Sequence, residues 1–246
     1  MTSIRFEPNG ETLALDLKIW RYMDLLGAID LTLNLRMRLT SLSLFEDGWE
    51  GRRSQAEIDE EISARIQAGI PTIGEKEFDA IFTEYIRTST YAGCWTTKPP
   101  ASMLMWSLYT SSPQSLALET NIGHLMSSAG TGDPEVLIGK VNYGDRINGV
   151  INANNPFYAS WSKWDHYEHE EEIRLTSDVR QLMAPESNSQ ITNDRKYAYI
   201  SFDYQPILLI HTHPKMTDVD FENTLKIFAL HGVQVVRSTI SLNPHL

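Results

Sequence analysis

Residues 167–175 read Tyr-Glu-His-Glu-Glu-Glu-Ile-Arg-Leu, which crowds four carboxylates into the five positions from Glu168 to Glu172. Like charges at that density repel one another, and such tension is common where proton or charge chemistry happens. As a β-strand, the run puts Glu168, Glu170, Glu172 and Arg174 on one face and Tyr167, His169, Glu171, Ile173 and Leu175 on the other. Same-face carboxylates two positions apart then lie roughly 7 Å from each other. Arg174, a substrate cation or a substrate hydroxyl would offset their charge. As a solvated helix, the run instead spaces Glu168 from Glu172, and Glu170 from Arg174, by four residues, the second pair in the favourable order. Periodicity leaves both readings open.

Other residue types with chemical potential are more scattered. Arg21 sits between Trp20 and Tyr22, which read as core, and a buried arginine needs an anionic partner: a ligand, Glu50 or the acidic run. His211 and His213 share a strand face and, with Glu168 or Glu170, would make a zinc or other divalent-metal site. Pro214 follows directly, and capping or surface histidines are the plainer reading. Cys94, the lone cysteine, is a candidate nucleophile with His166 or His169, against the plainer role of a small buried hydrophobe between Gly93 and Trp95. The stretch 130–133 is glycine-rich but has no following Lys-Ser or Lys-Thr, so it reads as a turn and not a phosphate loop. Met103, Leu104, Trp106, Leu108 and Tyr109 read most simply as one helix packing into the core.

Strand and helix signals alternate along the chain without an internal repeat. Strands are expected at 17–23, 35–44, 90–97, 114–119, 136–143, 197–202, 207–211 and 233–237. Helices are expected at 25–34 behind an Asp24 cap, at 55–68, 75–87, 101–109 and 217–231, with a helical stretch at 157–163. Turns or loops fall at 45–51, 130–134, 148–156 and 185–194. Strands and helices mixed without a regular βαβ rhythm argue an α+β class: a single domain, 1–246, with a central mixed or antiparallel sheet flanked by helices and a helical insertion at about 54–89.

Composition sets outer limits. The 246 residues are 41% hydrophobic and 22% charged, enough to bury a real core. The formal net charge of −11 repels nucleic-acid phosphates and anionic lipid at long range, which argues against a general DNA-coating protein and leaves a locally basic groove open. One cysteine allows no intrachain disulfide, in keeping with a reducing compartment. No apolar stretch approaches the ~20 residues of a membrane helix, and Arg5, Glu7 and Pro8 stand where a signal peptide would be apolar. These features predict a cytoplasmic protein.

The order of the motifs resembles a bacterial family, the domain-of-unknown-function family 2971. The matching pieces are Trp20-Arg-Tyr-Met23, the turn from Phe45 to Glu50-Gly51, Cys94-Trp-Thr96, Met105-Trp-Ser-Leu-Tyr109, Val141-Asn-Tyr143, and Lys163 followed by residues 167–174. A closing segment, 208–214, then a helix, then Arg237-Ser238, completes the pattern. At the turn the family usually has an Asp-Pro pair where this chain has Asp47-Gly48.

More remotely, the chain resembles ADP-ribosyltransferases of the arginine-serine-glutamate type. These carry an Arg on an early strand, a Ser or Thr on a middle strand and a Glu-x-Glu ahead of an apolar residue on a late one. Arg21, then Cys94-Trp-Thr96-Thr97, then Glu170-x-Glu172-Ile173 follow in that order, with Cys94-Trp95-Thr96 replacing the usual Ser-Thr-Ser. The resemblance implies a transferase or glycohydrolase acting on NAD. Glu172 would face the oxocarbenium-like ribose and accept its hydroxyl, Glu170 would orient or deprotonate the acceptor, and Thr96 would fix the Glu by a hydrogen bond. Arg21 would hold phosphate or ribose with a permanent charge. Trp95, Trp106 or Tyr109 would stack on the nicotinamide or adenine, and Arg174 completes the implied cofactor-binding set. By the same resemblance the partners are a nucleotide-like small molecule and a protein or nucleic-acid acceptor, and the role is that of a toxin or phage-defence effector.

Two other classes remain open. One is a metal-dependent hydrolase using the acidic run with His211 and His213. The other is a non-catalytic sensor or interaction module in which the acidic run forms a structural ion-pair network with Arg21, Arg174 and Lys163. If Glu172 is an exposed cleft carboxylate, Glu172→Gln removes activity with little loss of fold.

Overall fold

The computed structural model describes residues 4–6, 12–70, 74–129, 136–145, 156–183 and 189–240. In chain order the elements are β1 (Ile4–Phe6), β2 (Lys18–Met23), α1 (Leu25–Thr32), β3 (Arg36–Ser41), α2 (Gln55–Gln67), α3 (Glu75–Ser89), β4 (Thr90–Thr96), α4 (Met103–Tyr109), β5 (Leu116–Asn121) and α5 (Ile122–Ser128). There follow β6 (Val136–Lys140), β7 (Asn142–Gly144), β8 (Ser162–Trp164), β9 (Glu172–Asp178), α6 (Val179–Leu182), β10 (Gln190–Ile191), β11 (Tyr197–Ser201), β12 (Leu209–Thr212), α7 (Asp218–Ala229) and β13 (Gln234–Val236). Eleven strands form one mixed sheet flanked by helices, an α+β arrangement as the sequence predicts. Its main path runs β1-β6-β9-β4-β2-β5-β12-β13, with β3 attached to β4 and β11, and β10 to β11. The helical pair α2 and α3 fills the connection from β3 to β4.

Alternation along β2 builds two cores at once. Ile19 joins the main core with Leu39, Trp95, Leu118, Ile173, Leu175 and Ile210. Trp20 and Tyr22 point the other way and pack with Met105, Trp106 and Ala117 under α4. Local signals fix the helix starts: the Asp24 side chain accepts from Gly27 N–H at 2.6 Å, and Ser54 with Glu57 forms a reciprocal capping box.

Several expected elements are corrected. The helix from Leu25 ends at Thr32, and Leu35 adopts a positive φ of 51° before β3. The strand expected over 35–44 stops at Ser41 and turns into a 3-10 helix, Leu42–Leu44, because the Ser41 side chain accepts from Ser43 N–H. The strand expected over 136–143 breaks at Val141. Its N–H donates to Glu172 O, ending the ladder, and β7 pairs with β8 in a separate two-stranded sheet. The stretch 157–163 becomes a 3-10 helix, Pro156–Trp161, running into β8. Helix α5 was not expected, although Asn121, whose side chain accepts from His124 N–H at 2.7 Å, was a legible cap. The turn at 130–134 and most of the loop at 148–156 lie outside the described residues. Among the described residues no helix is long and apolar enough to cross a membrane.

Candidate functional site

The acidic run is neither a single strand nor a helix. Residues Asp165–Glu170 form a 3-10 helix, Glu171 turns the chain through a left-handed conformation (φ 42°), and β9 begins at Glu172. The expected shared strand face of Glu168, Glu170 and Glu172 is therefore lost, while Glu172 and Arg174 keep theirs. In register, Thr96 faces Glu172 and Cys94 faces Arg174 across the β4–β9 ladder, so these four side chains leave the same side of the sheet. Ile173 and Leu175 take the other side, into the main core.

Strand β4 is where the sheet divides. Its C-terminal end pairs with β2 through Trp20 and Thr96, while its N-terminal end pairs with β3 through Thr40–Ala92 and Ser41–Tyr91. Between the diverging β2 and β3 opens a cavity of about 160 Å³, lined among others by Arg21, Cys94, Thr96, Tyr109 and Glu172. By strand parity Arg21 belongs to the opposite face from Trp20, yet the split lets its side chain reach the same cavity as Glu172. The guanidinium spans the gap, donating from Nη2 to Arg38 O at 3.0 Å and lying 5.9 Å from the Trp95 ring centre.

Arg21, half-buried as a residue, carries a charge with no counter-charge among the described residues. It makes no ion pair with any described residue, and Nη1 is sealed from solvent without an acceptor. Burial, helped by the neighbouring Arg38, pulls its pKa down to about 10. Gly93 makes room for this group: a Cβ there would sit 2.8 Å from Leu39 Cδ2 and 3.0 Å from Arg21 Nη1. Gly93→Ala is therefore expected to cost about 1–3 kcal/mol through overpacking and to displace the guanidinium, which a thermal melt paired with a ligand titration would register.

The opposite wall is a closed ring of alternating charges. Arg174 Nη2 lies 2.8 Å from Glu50 Oε2, and its Nε donates to Glu172 Oε1 at 2.7 Å. Lys163 Nζ lies 3.5 Å from Glu50 Oε1, 3.5 Å from Glu172 Oε2 and 2.7 Å from Glu170 Oε2. Burial on its own would raise the Glu172 pKa, but Arg174 and Lys163 outweigh it and hold the carboxyl below its ordinary range. Glu50 goes the other way, pushed up by burial and by its proximity to Glu172. Burial and the neighbouring Glu172 keep the Cys94 thiol well above its usual pKa, so it stands protonated and hydrogen-bonded to Glu172 and is not an activated nucleophile.

The remaining predicted residues divide. Tyr109 is 41% exposed and lines the cavity, with its ring stacked on Tyr22 at 6.3 Å. Trp95 lines it from within the main core. Trp106 is fully buried, packed edge-on against Tyr22 and His213, and donates from Nε1 to Pro100 O, so it offers no free face for stacking. Arg174 is also fully buried and occupied by Glu50, Glu172 and Ser160 O, which corrects its expected contact with a cofactor. Thr96 Oγ1 donates to the Glu170 backbone carbonyl at 2.5 Å, so it fixes the turn before β9 and not a carboxylate. The Glu170 carboxylate is bound to Lys163 and is not among the residues lining the cavity. Glu172 is only 3% exposed, not an open cleft group. Glu50 partners Arg174 and Lys163, not Arg21. Sequence reasoning passed over Phe45 and Thr40, which also line the cavity; nothing local marks them, since β3 and the turn reach the site only through the split.

The two histidines lead elsewhere. His211 Nε2 lies 2.7 Å from Glu119, which also receives Trp20 Nε1 at 3.1 Å and Lys18 at 2.7 Å. His213 packs on Trp106. Among the described residues no group of three or more His, Cys, Asp or Glu side chains converges as a metal site.

No family model and no curated protein matches the chain. The solved structure "Thermus sp. 2.9 DarT in complex with ADP-ribosylated ssDNA" is similar at 10% sequence identity and a TM-score of 0.38, covering 93% of this chain and 97% of that one. A likeness of that size carries no argument about this chain.

Proposed function

We propose that the cavity is the NAD site of an ADP-ribosyl-transferring or NAD-hydrolysing enzyme. The observation that supports this most is charge separation across one small space. On one wall is a guanidinium that no acid among the described residues pairs with; on the other is a carboxylate held anionic by two cations. Taking a charge out of water costs several kcal/mol unless a partner compensates, and an anion from outside would supply that partner for Arg21. NAD carries both complements: phosphates for Arg21, and a cationic nicotinamide ring, then an oxocarbenium-like ribose, for Glu172.

Size supports the same division. The inner cavity of about 160 Å³ suits a single aromatic ring, since a protein cavity of about 150 Å³ accepts benzene. A groove of about 640 Å³ adjoins it at Arg21, Tyr22 and Tyr109 and is lined further by Asp24, Arg36, Arg38 and Tyr199. That groove has room for the rest of a dinucleotide. In the reaction, the bond from ribose C1′ to the nicotinamide nitrogen breaks and its electron pair leaves with neutral nicotinamide. An acceptor oxygen or nitrogen, or water, then bonds C1′ and releases its proton to solvent. Glu172 stabilises the positive charge between these events and accepts a ribose hydroxyl. The acceptor would be a protein or nucleic acid, and a toxin or phage-defence role would follow from modifying one.

Arg21→Met tests the reading, because it keeps the length of the side chain and removes the charge. NAD binding by calorimetry should weaken on the order of tenfold or more, while the thermal midpoint holds or rises as an uncompensated buried charge disappears. A native protein that binds no NAD, together with an Arg21→Met variant that unfolds, would make Arg21 a structural residue and remove the basis of the proposal.

A further inference from the structure

We propose that Lys163 is a positioning residue for Glu172, gripping the oxygen that Arg174 leaves free so that the cavity-facing carboxylate stays an anion in one orientation. The functional consequence rests on the NAD reading; the geometry does not. Lys163 leaves the short strand β8, which belongs to the separate two-stranded sheet, and reaches three carboxylates at once. In both Glu50 and Glu172, Arg174 takes one oxygen and Lys163 the other. A carboxylate hydrogen-bonded at one oxygen and with a cation 3.5 Å from the other is restrained about its last torsion, which is the preorganisation that stabilising a developing cation requires.

The other groups around Glu172 cannot substitute for Lys163. Arg174 on β9 is committed to Oε1. Cys94 on β4 supplies a thiol hydrogen bond, and Tyr143 on β7 meets the backbone, its hydroxyl accepting Glu172 N–H at 2.8 Å. Tyr109 on α4 is hydrogen-bonded to Glu170, and Glu170 and Glu50 are anions that push the carboxyl toward protonation. Arg21 lies across the cavity without pairing to it. Among the described residues, the side-chain ion pairs of Glu50, Glu170 and Glu172 run to Lys163 and Arg174, three anions against two cations, while Arg87 meets Glu50 at its backbone carbonyl, so the loss of Lys163 falls on the carboxylate nearest the reaction.

The test measures the Glu172 titration midpoint by carboxyl-carbon NMR and nicotinamide release from NAD across pH, in the native protein and in Lys163→Met, Lys163→Arg and Lys163→Met/Glu50→Gln. Lys163→Met should raise the Glu172 midpoint by about one pH unit or more, moving the acid limb of the rate profile up with it. It should also lower kcat on the order of 10²-fold with KM little changed. Lys163→Arg should recover the midpoint and most of the rate. The double variant leaves two anions against one cation, the same single excess negative charge as the native cluster. It should therefore regain thermal stability and part of the midpoint, since Glu50 no longer pushes Glu172 toward protonation, but not the rate, and it serves if Lys163→Met alone fails to fold. A double variant that regains the rate, or a Glu172 midpoint that Lys163→Met does not move, overturns the proposal. If the native protein releases no nicotinamide, the NAD reading falls while the NMR midpoint still decides the role of Lys163.

Discussion

Glu172→Gln should cut nicotinamide release from NAD on the order of 10²–10³-fold, the size of effect seen when one preorganised electrostatic group facing the reacting centre is lost. NAD affinity should change only a few-fold, because Arg21 and the outer groove hold the anionic part of the dinucleotide in the ground state. A glutamine carbonyl can still accept from Arg174 Nε, so the ring of charges relaxes without collapsing. The fold nevertheless loses more than an exposed cleft carboxylate would imply. Glu172 is buried and bonded to Arg174, and weakening a buried charge-assisted hydrogen bond costs about 1–3 kcal/mol. Parallel rate and melting measurements separate the two effects. A rate unchanged within a few-fold would remove Glu172 from the chemistry.

Arg174→Leu should produce the largest loss of stability, about 3–5 kcal/mol, seen as a fall in the denaturant midpoint. The guanidinium is fully buried and satisfies Glu50, Glu172 and Ser160 O together. Removing it leaves three carboxylates around Lys163 alone, and the burial that already raises Glu50 would then favour its protonation. The loss should therefore be smaller at pH 5 than at pH 8. A group whose folded pKa is raised above its unfolded value destabilises the fold when ionised, and that cost fades as pH falls through the folded pKa. A loss equal at both pH values would mean that the buried carboxylates of the variant do not take up protons.

The sequence conveyed the strands and caps better than the site. Alternation placed β2, β4 and β11 close to their observed limits, and Asp24 announced its helix, because these signals are local. The acidic run misled because one left-handed residue, Glu171, switches it from 3-10 helix to strand, and nothing in four neighbouring glutamates marks which one turns. Arg21 drew notice as a buried arginine in need of an anion. That it lacks an acid partner among the described residues, and that β2 and β3 part to let it reach the side of Glu172, depends on pairing between residues 50 to 76 positions apart along the chain. Trp106 and Arg174 were natural candidates for ligand contact by type, but packing of α4 and the Glu50–Glu172 pair claims them. Lys163 was legible as a member of an ion-pair network with the acidic run; its further reach to Glu50 appears when the turn around Glu50, β8 and β9 come together.

The account is tested most directly by a crystal structure of the protein soaked with NAD at saturating concentration. It predicts a phosphate oxygen within about 3 Å of a nitrogen of the Arg21 guanidinium, a charge-assisted hydrogen-bond distance, with the nicotinamide ribose beside Glu172 and the remaining nucleotide along Arg38 and Tyr199. A dinucleotide bound anywhere else, or an empty cavity under those conditions with Arg21 and Glu172 unmoved, would contradict it.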